Sequence, residues 1–182
     1  MERASLVNSH RYKVIQGEIS CVCTSMLELL DKHLLPCASS IASKVYYMKV
    51  KGDYHRYLAE VLEGDDYHKA ANDAIVAYGS GLQMAYGVYG PTHPLRLGLT
   101  LNFSVFYYEI LDSAEKACSM TEEAIELVMH EYEALKLDEP LCEESMVFMG
   151  HLRQNMKMWT SEMQPKSLVS EDVARYRRAI SF

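Results

Sequence analysis

Apolar residues recur at helical spacing along almost the whole chain. Between Tyr12 and Leu35 they fall at Val14, Ile15, Ile19, Val22, Met26, Leu29, Leu30 and Leu34, a 3.6-residue rhythm that predicts a first long helix ending at Pro36. Ser39 or Ser40 is placed to cap a second helix over about Ile41–Glu63, stopped by Gly64-Asp65-Asp66. A third spans about Asp66–Tyr89, in spite of Gly79, Gly81 and Gly87, each of which costs about 1 kcal/mol relative to alanine inside a helix. Pro91-Thr92-His93-Pro94 breaks the chain, and the fourth helix runs to Leu111. Its residues are apolar almost all round, which predicts a central position. Ser113 caps a fifth helix with Glu115 in its first turn, extending to about Leu137. After a turn at Asp138-Glu139-Pro140, a sixth covers about Leu141–Thr160. Strand alternation is absent, and the short connections imply antiparallel neighbours. The expected fold is an all-α antiparallel bundle over residues 1–164, followed by a tail, 165–182, in which Val169, Val173, Tyr176 and Ile180 have the spacing of a short amphipathic helix.

Composition narrows the function classes. With 182 residues and 49% hydrophobic content the chain can bury one core. Acids outnumber bases 25 to 18, a net charge of −7, which argues against general nucleic-acid binding because phosphate backbones are held by clustered Lys and Arg. Cys21, Cys23, Cys37, Cys118 and Cys142 are odd in number and include no CxxC pair, the pattern of reduced thiols in a cytoplasmic protein. No run reaches the roughly 20 apolar residues of a membrane span, and Met1–His10 has no signal-peptide core. The seven histidines form no HExxH, and neither a GxSxG nor a phosphate-cradling glycine loop occurs. Paired acids sit at helix starts, where the macrodipole accounts for them. We therefore expect no catalysis, cofactor or resident metal.

One stretch of the second helix carries cations. Lys49 and Arg56 are seven residues apart and so share a helix face, with Tyr57 one position on. A guanidinium fork, an ammonium and a phenol are suited to a phosphate with several acceptor oxygens. The same residues also form i,i+4 pairs of opposite charge, Lys49 with Asp53 and Arg56 with Glu60, and spacing alone favours a neutralised, solvated surface. On the fourth helix Asn102 and Glu109 are again seven apart, with Gly98, Leu101 and Val105 beside them. Polar residues on so apolar a helix are more often satisfied internally. Asn155 and Trp159 stand at i,i+4 on the sixth helix, and a lone tryptophan usually packs.

The segment KVYYMKVKGDYHRYLAEV, residues 44–61, resembles the fifth helix of the 14-3-3 proteins. PTHPLRLGLTLNFSVFYYEIL, residues 91–111, resembles their seventh, and RQNMKMWTS, residues 153–161, tracks their ninth. The resemblance covers about residue 10 to Ser161, the fourth to ninth of nine family helices, so about six long helices of a 14-3-3-type bundle are expected. It implies an adaptor that binds phosphoserine or phosphothreonine peptides of client proteins in a concave amphipathic groove. Lys49, Arg56 and Tyr57 would grip the phosphate, and Asn102 and Asn155 would clamp an extended main chain. Gly98, Leu101, Val105, Glu109, His151, Met158 and Trp159 would line the groove. His151 departs from the pattern, standing where the family has a groove leucine, and makes that wall more polar and titratable. The family forms homo- and heterodimers, and Glu18 matches a glutamate that pairs with an arginine of the partner's first helix.

The first three family helices have no counterpart in these 182 residues. They supply a further Lys and Arg to the phosphate pocket and the dimer interface, so phosphate binding is expected to weaken, each charge-assisted contact being worth about 1.5–3 kcal/mol. The alternative function is accordingly a truncated 14-3-3-like helical scaffold that has lost phosphopeptide binding. The ending, Arg177-Arg178-Ala179-Ile180-Ser181-Phe182, resembles the C-terminal ligands of the family, although a helix end with arginine on its dipole is the favoured reading.

Overall fold

The computed structural model describes residues 2–135 and 141–163, with side chains from residue 11 onward. The proposed tail helix, Ser181, and the turn at 138–140 lie outside these residues. The described chain forms six long helices and no strand.

Helix α1 (Glu2–Leu29) runs on through a π-helical turn, Leu30–Leu34, into a last turn, Leu35–Cys37. Pro36 ends this helix only after the widening, in which the Leu35 N–H reaches back to the Leu30 carbonyl. A proline has no N–H and its ring crowds the carbonyl four residues back, a conflict that a π turn relieves. Helix α2 (Ile41–Val61) begins at Ser40, whose side chain accepts from the Ser43 N–H at 3.0 Å. Helix α3 (Gly64–Tyr86) follows after only Leu62 and Glu63. That tight reversal places Gly64 at φ +59°, a left-handed conformation in which a Cβ is strained. Helices α4 (Pro94–Glu109), α5 (Ala114–Leu135) and α6 (Glu143–Met163) complete the bundle.

The glycines predicted to weaken α3 are outweighed by its buried face of Ala70, Ala74, Tyr78, Leu82 and Ala85. These pack with Val45 and Ala59 of α2 and Leu99, Phe103 and Phe106 of α4. A second cluster joins Leu97 of α4 to Val128 of α5 and to Met149 and Leu152 of α6. Helix α4 thus contributes to both cores and touches α2, α3, α5 and α6, the central position expected from its all-round apolarity. Helix α1 packs on α2 through Cys23, Leu27 and Leu30. Most of its remaining apolar stripe, including Tyr12, Val14, Ile15, Val22 and Leu29, is exposed, Val22 by 62%.

Candidate functional site

The site is built on a buried carboxylate. Lys49, Asp53 and Arg56 follow one another at spacings of four and three along α2 and share its inward side. Between them, Gly52 lets the Tyr78 ring of α3 approach so closely that an added Cβ would stand 2.5 Å from it. The Tyr78 hydroxyl then donates to Asp53 Oδ1 at 2.6 Å, and Asn102 Nδ2 of α4 donates to the same oxygen at 2.7 Å. Lys49 Nζ reaches the other oxygen, Oδ2, at 2.9 Å. Asp53 is 7% exposed, and three donors from three helices meet the demand of a carboxylate removed from water. Burial, reinforced by the Asp53 charge, pushes the Tyr78 phenol far above its ordinary pKa, so it stays protonated and donating.

Arg56 is held differently. Its Nη1 lies 2.8 Å from Glu60 Oε1 and 3.8 Å from Glu109 Oε2, and its guanidinium sits 4.5 Å from the centre of the Tyr57 ring. Buried Nε has no hydrogen-bond partner. Burial works against its charge, but Tyr78, Tyr57 and Asp53 outweigh that effect and leave the pKa raised. The Arg56 side chain is only 13% exposed, against 43% and 52% for Glu60 and Glu109. The carboxylates are therefore solvated groups bound to a sheltered cation, and such pairs are weak.

Arg56 opens onto a 290 Å³ cavity that it lines with Leu101, Asn102 and Val105 of α4 and His151 and Asn155 of α6. Six expected site residues, from three helices, are thereby brought together. Lys49 joins them through Asp53, and Glu109 through Arg56. Tyr57 faces elsewhere, into a largely apolar cleft between α1 and α2 that Glu18 also lines. Gly98, expected on the groove wall, is buried beneath the Phe148 ring of α6, and a Cβ there would lie 2.9 Å from it. This glycine sets the distance between α4 and α6. Trp159, likewise expected on the wall, is 1% exposed and stacks on Tyr108 at 4.9 Å, since an indole packs where it covers most apolar area. Met158 is 47% exposed and is not among the residues lining the cavity. Sequence reasoning missed Asp53 as an organiser: its i,i+4 distance from Lys49 registered only as an ion pair, and Tyr78 gave no local signal.

The model of the 14-3-3 protein family matches residues 1–160. The chain belongs to the 14-3-3 family. Among its relatives, the 14-3-3-like protein G-BOX factor 14 kappa of Arabidopsis thaliana is 50% identical over 163 residues, which cover 90% of this chain and 64% of that protein. The 14-3-3 protein epsilon of Drosophila melanogaster is 43% identical over 167 residues, covering 92% of this chain and 63% of that one. A 14-3-3-like protein of Chlamydomonas reinhardtii is 48% identical over 151 residues, covering 83% and 58%. The chain thus spans less than two thirds of the length of these 14-3-3 relatives. No described helix is long and apolar enough to cross a membrane.

Proposed function

We propose that this 14-3-3 chain is an adaptor that binds phosphoserine- or phosphothreonine-containing segments of client proteins in the cavity between α2, α4 and α6. The observation that carries the reading is the lining of that cavity: one sheltered guanidinium, two carboxamides, an imidazole and two branched apolar residues. A phosphate of nearly two charges competes for Arg56 against two solvent-exposed carboxylates, and the exchange is favourable because the phosphate brings more charge and more acceptor oxygens. Lys49, held at the edge by Asp53 with 22% of its side chain exposed, adds a second cation. Asn102 spends one N–H on Asp53, which leaves its second N–H and its carbonyl oxygen to pair with a peptide main chain. Asn155, on the opposite wall, can pair with the next peptide unit, so the ligand lies extended between them. No bond is made or broken. The five free cysteines suit a reducing, cytoplasmic setting. Glu18, on the cleft beside the exposed stripe of α1, belongs by this reading to a dimer interface.

A second reading, a helical scaffold without phosphopeptide recognition, is favoured by the pairing of both cations within the chain itself. Fluorescence anisotropy separates the two. A labelled arginine-rich phosphoserine peptide should bind at least tenfold more tightly than its unphosphorylated twin, and Arg56→Glu should abolish the difference. Equal or absent binding of both peptides would establish the scaffold.

A further inference from the structure

His151 gives this groove a means of reading one ligand side chain. It is exposed on α6, lines the same cavity as Arg56, and has no hydrogen-bond or ion-pair partner among the described residues. The polar groups around that cavity are few: Arg56, Asn102, Asn155 and His151, with Glu109 nearby through its contact to Arg56. If the phosphate takes Arg56 and the main chain takes the two carboxamides, the imidazole is the polar group left over for a ligand side chain. We infer that His151 selects for an acceptor-bearing residue, above all aspartate or glutamate, within about three residues of the phosphorylated residue of the bound segment. This rests on the phosphopeptide reading given above.

The chemistry is directional. An imidazole carries at least one N–H in either charge state, so it can donate to a carboxylate whether or not it is protonated, and more strongly when it is. An apolar ligand residue in the same place would pack well against Leu101 and Val105 but would strip water from the ring and return no hydrogen bond. Glu109 does not compensate within the chain, since it faces Arg56 at 3.8 Å. A leucine at position 151 would make the wall continuous with Leu101 and Val105 and reverse the preference. A 290 Å³ cavity shared by Arg56 and His151 holds only a few side chains, so the selected position lies within about three residues of the phosphate.

The test is a set of phosphoserine peptides that differ only by Glu or Leu at each of the three positions on either side, titrated against the full chain and against His151→Leu and His151→Gln. The readout is the ratio of the two dissociation constants at each position, which is independent of any overall change in affinity. At one position the native chain should prefer Glu by about two- to fivefold, the range of a partly solvated charged contact. His151→Leu should erase or invert that ratio, and His151→Gln, which keeps an N–H donor, should restore part of it. Ratios that are the same in all three proteins would overturn the inference while leaving the phosphopeptide reading intact. Loss of all phosphate dependence in the native chain would overturn both.

Discussion

Asp53 is the residue on which the site depends. The heptad spacing of Lys49 and Arg56 was legible in the sequence because it follows from helix geometry alone. The role of Asp53 was not, because two of its three partners come from α3 and α4, and only the packing of those helices on α2 brings Tyr78 and Asn102 to one oxygen. Asp53→Ala leaves the wholly buried Tyr78 hydroxyl without an acceptor and frees Lys49, which we expect to cost about 2–3 kcal/mol. Tyr78→Phe removes a single donor and should cost about 1 kcal/mol. Urea denaturation of the two variants provides the comparison, and equal losses would show that the carboxylate does not join the three helices. Trp159 and Gly98 teach the converse: residues expected on the groove wall are buried, where they pack α4 against α6.

At the level of the helices, the pattern of caps and breakers carried most of the fold. Ser40 caps α2 as its position suggested, and Pro94 opens α4. Two features escaped the pattern. The π turn at Leu30–Leu34 is set by the compromise between Pro36 and continued helix, and the link between α2 and α3 is shorter than the glycine-aspartate run implied, so Gly64 joins α3 rather than separating it. Nothing lies within 4 Å of a Cβ built on Gly64, so the effect of substitution there is purely conformational. Gly64→Ala should destabilise by about 1–2 kcal/mol through the left-handed φ alone. A thermal melt with no loss would mean that the link relaxes without strain.

For the whole molecule, the all-α bundle was legible because six periodic segments separated by strong breakers leave few alternatives, and the all-round apolarity of α4 located its centre. What covers α1 was not legible, since a helical stripe reads the same whether or not a neighbour lies on it. In the structure Leu30 is 0% exposed while Ile15 is 53% exposed. Leu30→Ala should cost about 2–5 kcal/mol, and in the monomeric chain Ile15→Ser should fall within about 0.5 kcal/mol of the parent. A large loss from Ile15→Ser in sedimentation-controlled denaturation would show that the outer face of α1 is covered in solution. The family match over residues 1–160 accords with the fold that these helices share. The most direct measurement is an NMR titration that follows the side-chain N–H signals of Arg56, Asn102 and Asn155. The phosphoserine peptide should shift all three together, and the unphosphorylated twin should leave them in place; shifts confined to α1, or the same for both peptides, would contradict a phosphopeptide groove between α2, α4 and α6.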